Sequence, residues 1–190
     1  MKFKINDDLK KKLMHPNAFT LYRVIAVPVL IILMLGNSFW NCFFATLVFI
    51  LASITDYLDG FLARKMGLVS NFGKMMDPLA DKILVSSAFI MLVAKGWVPG
   101  WVVCIIIGRE LAVTGLRNLM TENNDDVSAS VIAKWKTGFQ IAALIPLIYH
   151  YKFIGIDMAY IGNLLIWVAL VLTIISGFDY FYKARKYFIE

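Results

Sequence analysis

Short polar junctions cut the chain into six long apolar stretches, at roughly 19–36, 39–63, 73–95, 97–118, 131–151 and 157–182. A bilayer core about 30 Å thick is crossed by about 20 helical residues. The pattern therefore predicts an all-α integral membrane protein with six transmembrane helices. Composition agrees, since 60% of the 190 residues are hydrophobic, against about 45–50% in soluble domains. A chain this small has no interior that could hide so much apolar surface. A soluble enzyme, a disordered chain and a nucleic-acid binder are excluded, despite a net charge of +6. Cys42 and Cys104 both lie inside apolar runs. They read as small hydrophobes rather than as a disulfide or a zinc site.

Charge fixes the expected orientation. Of the 19 basic residues, all but Lys95 and Lys152 fall at the N-terminus, the second–third junction, the fourth–fifth junction, the C-terminus or the start of the first span. The positive-inside rule puts both termini and these junctions in the cytoplasm. The whole chain, 1–190, reads as a single membrane domain, with a basic juxtamembrane segment (1–17) before a six-helix core (19–182). In that segment Ile5, Leu9, Leu13 and Met14 recur near helical spacing among lysines. This suits a short amphipathic interfacial helix on an anionic leaflet, or a frayed basic tail. The opening Met1-Lys2-Phe3-Lys4 turns polar before the first span, unlike a cleavable signal. Gly96 and Pro99 mark the turn between spans three and four. Trp97, Trp101, Tyr151 and Tyr160 suit an outer aromatic belt. His15 and His150 read as interfacial residues on opposite faces.

Ionisable residues inside spans are costly and mark function. Asp56 and Asp59 are three residues apart, and Asp77 and Asp81 four apart, so each pair shares a helix face. Gly60, Ala63 and Gly73 continue those faces and leave room beside the backbone. Four carboxylates brought together repel strongly, and two hard divalent cations, Mg²⁺ or Mn²⁺, would relieve that repulsion. Such a pair suits phosphoryl chemistry. The competing explanation makes the aspartates helix caps or ion-pair partners of Arg64, Lys74 and Lys82.

The run Asp56-x2-Asp59-Gly60-x2-Ala63-Arg64-x8-Gly73-x3-Asp77-x3-Asp81 resembles the full signature of the CDP-alcohol phosphotransferases, and the six-span layout extends the likeness to nearly the whole chain. The resemblance implies a CDP-activated donor, a hydroxyl acceptor and release of CMP. It makes Asp56, Asp59, Asp77 and Asp81 ligands of two metal ions, with Asp81 also the base. Spacing alone does not rank Asp81 above Asp77. It further implies donor contacts at Gly60, Ala63, Arg64, Ser70 and Gly73, although Ser70 serves equally as a helix N-cap. Asn17, Thr20 and Arg23 resemble the family's entry to the first span and would meet the cytidine end; capping and snorkelling explain them too. Homodimers are the family's habit.

The acceptor is read from a second basic cluster. Arg109 and Arg117 lie eight residues apart, and Lys134 and Lys136 follow. An acceptor with its own phosphate would call for these cations. Gly108–Arg117 and Ala133–Thr137 resemble the bacterial branch of the family that joins CDP-diacylglycerol to sn-glycerol 3-phosphate. That implies a multi-pass enzyme of the bacterial inner membrane with its site facing the cytoplasm. Glu110 is expected to pair with one of the arginines. Other family enzymes using serine, inositol phosphate or phosphatidylglycerol share the aspartates. A small cation transporter is the reading from another class, but it would place carboxylates at several depths, and the outer halves of spans two and three hold none.

Overall fold

The computed structural model describes the backbone of residues 16–66, 71–122 and 131–188, and the side chains of 25–55, 82–121, 135–185 and 187. The proposed amphipathic segment 5–14 lies outside the described residues. Six α-helices account for most of what is described: α1 (Pro16–Leu35), α2 (Phe39–Met66), α3 (Asn71–Ala94), α4 (Gly100–Glu122), α5 (Val131–Tyr149) and α6 (Met158–Lys183). A 3₁₀ turn (Ala184–Phe188) follows α6. Each helix falls on one of the six apolar stretches. The chain divides into two compact units, 1–88 and 89–190, with the division inside α3.

In the first unit α1 packs on α2. Ala26, Val27, Leu30 and Met34 are buried on α1, and Cys42, Ala45, Thr46, Phe49 and Ala52 on α2, each set at the three-to-four spacing of one helical face. The Ser38 hydroxyl accepts from the Asn41 N–H at 3.2 Å and starts α2. Thr46 and Thr55 donate to the carbonyls of Cys42 and Leu51 at 2.8 and 2.7 Å, so neither hydroxyl needs water.

In the second unit α6 is the central element, packed against both α5 and α4. Leu147 lies against Gly162 and Gln140 donates to Thr173 at 3.3 Å, so α5 and α6 run antiparallel. The two are joined by a feature the all-helical expectation did not contain, a two-stranded hairpin of β1 (Lys152–Phe153) and β2 (Ile156–Asp157). Ile154 and Gly155 form its turn, with φ of 50° and 80°. Two left-handed residues match the twist of a tight hairpin. The Asp157 carboxylate then accepts from the Tyr160 N–H at 3.2 Å and caps α6. Beside this hairpin the His150 ring stacks on Trp97 at 3.6 Å. Burial lowers the His150 pKa, opposed by Asp157 and assisted by Lys95.

The outer face of α6 differs from that of a water-soluble helix. Its buried face mixes Gly162, Thr173, Ser176 and Gly177 with Ile166, Ala169, Leu170 and Tyr180, whereas Leu164, Trp167, Val171, Ile175 and Phe178 are exposed. Polar groups kept inward and large apolar residues presented outward are expected where lipid is the solvent. By length and mean hydropathy (26 residues, 2.2) α6 alone among the described residues meets the requirement for a span, while α1, α2 and α3 contribute shorter apolar segments.

Gly162 permits the closest approach of α5 to α6. A Cβ there would lie 2.5 Å from Leu147 Cγ and 3.0 Å from its backbone nitrogen. Gly162→Ala should therefore destabilise the protein by about 1–3 kcal/mol, as overpacking does. Thermal unfolding in detergent checks this; an unchanged midpoint would show that the helices part at no cost.

Candidate active site

Two sets of polar residues stand out, one in each unit. The acidic set belongs to the first. The backbone is helical at Asp56 and Asp59 in α2 and at Asp77 and Asp81 in α3. Each pair thus keeps the three- or four-residue register that puts it on one side of its helix. Gly60, Ala63 and Arg64 follow on α2, Gly73 precedes on α3, and Asn17, Thr20 and Arg23 occupy the first turns of α1. The side chains of all these residues lie outside the described residues, as does Ser70 altogether. The donor set consists of carboxylates, with no His or Cys on the same turns. Hard oxygen donors of this kind fit Mg²⁺ or Mn²⁺ better than zinc, which favours His and Cys. Among the described residues no three His, Cys, Asp or Glu side chains cluster.

The basic set is described in atomic detail, because α4, α5 and α6 bring it together. Lys136 on α5 is only 3% exposed, and its ammonium forms an ion pair with the Glu110 carboxylate of α4. Glu110 also meets Arg109 Nη1 at 3.5 Å, as the sequence suggested for one of the arginines. A buried cation is tolerable only when paired and hydrogen-bonded, and Glu110 supplies that partner. Among the described residues, Arg109 and Lys136 share the Glu110 carboxylate.

Arg109 is fixed more closely than the sequence indicated. Its Nη2 donates to Ser176 Oγ at 2.9 Å. Its guanidinium carbon lies 5.6 Å from the centre of the Tyr180 ring. Among the described residues its buried Nε has no hydrogen-bond partner. Arg117 makes no described contact with Arg109, Glu110 or Lys136. Eight residues turn an α-helix by about 80° beyond two full turns, and Arg117 is exposed, its carbonyl accepting from Thr121 at 2.8 Å. The Lys134 side chain lies outside the described residues. Ser176, Gly177 and Tyr180 were not among the sequence candidates. Their signal was present as a hydroxyl and a glycine within the otherwise apolar run of α6.

The family model for CDP-alcohol phosphatidyltransferases matches residues 13–175. The chain belongs to this family. Among curated relatives, the CDP-diacylglycerol–glycerol-3-phosphate 3-phosphatidyltransferase of Bacillus subtilis is 41% identical over 183 residues, covering 88% of this chain and 93% of its own. The protein of the same name from Rickettsia bellii is 42% identical over 176 residues, with 91% and 96% covered. That of Shigella flexneri serotype 5b is 37% identical over 175 residues, with 90% and 94% covered. Every candidate residue taken from the sequence lies within the matched region of the phosphatidyltransferase family. Ser176, Gly177 and Tyr180 follow directly after its end.

Proposed function

We propose that the protein transfers the phosphatidyl group of CDP-diacylglycerol to sn-glycerol 3-phosphate, yielding phosphatidylglycerophosphate and CMP. The observation that carries this is identity of about 41% over most of the chain to relatives bearing that activity in their names. The buried cations of α4 and α5 supply the chemistry an acceptor phosphate requires. In this reading the helices are six spans of one domain in the bacterial inner membrane. Both termini and the site face the cytoplasm, residues 1–17 lie along the inner leaflet, and the enzyme works as a homodimer.

Asp56, Asp59, Asp77 and Asp81 would hold two divalent ions. When bound, these supply positive charge to the donor diphosphate and lower the pKa of a nearby hydroxyl. Arg64, Ser70 and the backbone at Gly60, Ala63 and Gly73 grip the CDP portion, and Asn17, Thr20 and Arg23 meet its cytidine end. Arg109 and Lys136, aided by Arg117 and Lys134, hold the acceptor phosphate. Asp81 takes the proton of the acceptor hydroxyl. The freed oxygen bonds to the phosphorus carrying diacylglycerol, the P–O bond to CMP breaks, and CMP departs with the electron pair.

The test is CMP release by purified protein given CDP-diacylglycerol, Mg²⁺ or Mn²⁺ and parallel acceptors. Glycerol 3-phosphate is expected to support turnover, while serine, phosphatidylglycerol and inositol phosphate are not, and EDTA is expected to stop the reaction. Preferred use of another acceptor would reassign the substrate within the family. Ion flux through liposomes without need of CDP-lipid would favour a transporter.

A further inference from the structure

We infer that Ser176, Gly177 and Tyr180 of α6 are positioning residues for Arg109, holding its guanidinium ready for the acceptor phosphate; the inference rests on the reading of Arg109 as a phosphate contact. Ser176 is fully buried, and its Oγ lies 2.7 Å from the Leu172 carbonyl and 3.1 Å from that of Thr173. The single hydroxyl proton is thereby committed to the helix backbone, which leaves the oxygen lone pairs for Arg109 Nη2 at 2.9 Å. Ser176 is an acceptor of fixed orientation and does not swing away to donate elsewhere.

Gly177 supplies the space. A Cβ at this position would lie 3.2 Å from Arg109 Cγ and 3.7 Å from its Nε. Any larger residue presses on the arginine stem where it passes α6. Tyr180, itself buried, offers its ring to the guanidinium. From the other side Glu110 meets Nη1. The arginine is thus held at its stem, its face and both terminal nitrogens before any ligand arrives. A long side chain ordered in advance loses little freedom on binding, and a correctly placed fork aligns the acceptor for attack.

The test compares Arg109→Ala, Ser176→Ala, Gly177→Ala, Tyr180→Phe and Tyr180→Leu in steady-state kinetics, varying each substrate in turn, with thermal unfolding in parallel. Arg109→Ala is expected to raise the KM for glycerol 3-phosphate. Ser176→Ala and Gly177→Ala should each raise it by about tenfold, the order of one charge-assisted hydrogen bond. The KM for CDP-diacylglycerol should stay within about twofold, since a misplaced Arg109 touches only the acceptor. Tyr180→Phe keeps the ring and should raise the KM for glycerol 3-phosphate far less than Tyr180→Leu, which should resemble Ser176→Ala. An unchanged acceptor KM in Arg109→Ala overturns the phosphate reading and this inference together. A raised KM in Arg109→Ala, with Ser176→Ala and Gly177→Ala unchanged, overturns this inference alone. Equal loss toward both substrates, tracking a lower unfolding midpoint, shows a merely structural role and also overturns it. Should Ser176→Ala fail to fold, the comparison of Gly177→Ala with Tyr180→Leu decides on the same criteria.

Discussion

Asp81→Asn is expected to lower turnover by about 10²–10⁴-fold, the range for removing a positioned general base, while CDP-diacylglycerol binding survives in part. The amide is nearly isosteric with the carboxylate, so the helical packing of α3 has no reason to change. It can neither accept the hydroxyl proton nor contribute a negative charge toward a divalent ion. Asp59→Asn removes a proposed ligand that has no part in the proton transfer, and should weaken donor binding more than Asp81→Asn does, as well as turnover. Donor affinity measured by equilibrium binding at saturating Mg²⁺, alongside CMP release, separates the two. If both variants lose donor binding equally, Asp81 acts mainly as a ligand. Near-normal turnover of Asp59→Asn would count decisively against the carboxylate site.

The positions of the six helices were legible because the length of an apolar run needs no tertiary information. The ends were less so. α4 begins at Gly100 and not at Trp97, because Gly96, at φ of 71°, turns the chain and Pro99 disfavours a helical conformation at Val98 before it. α2 runs on to Met66, past the end expected at Ala63. The hairpin between α5 and α6 was hidden in a linker too short to show alternation, with the Ile154-Gly155 turn as its trace. The acidic motif was legible because its spacing is local to two helices. The basic cluster was legible only as charge. The sequence separates Glu110 from Lys136 by 26 positions and Arg109 from Ser176 by 67. Nothing in the local pattern announces that Lys136 is buried rather than on a solvated face. Such pairings appear only once α4, α5 and α6 are packed.

Lys136→Met is the second variant with a large expected effect. It keeps most of the buried stem but removes the ammonium that pairs with Glu110. Two consequences should separate. First, a charge-assisted hydrogen bond is worth roughly 1.5–3 kcal/mol net, so kcat/KM for glycerol 3-phosphate should fall by about 10–140-fold at 1.4 kcal/mol per tenfold. Second, Glu110 is left in a partly buried site with Arg109 at 3.5 Å as its remaining described partner, which should lower stability. Adding Glu110→Gln removes the stranded charge. The double variant should therefore recover thermal stability but not acceptor use, because the phosphate still lacks its cation. Kinetics at fixed CDP-diacylglycerol with varied glycerol 3-phosphate, and unfolding in the same detergent, measure both. Recovery of activity together with stability would mean that Lys136 serves the fold and not the substrate. An unchanged glycerol 3-phosphate titration in Lys136→Met would take Lys136 out of the phosphate pocket. Arg109, Arg117 and Lys134 would then be the cations left to hold it, and the variants to make next are Arg117→Lys, which keeps the charge and loses the planar fork, and Lys134→Met.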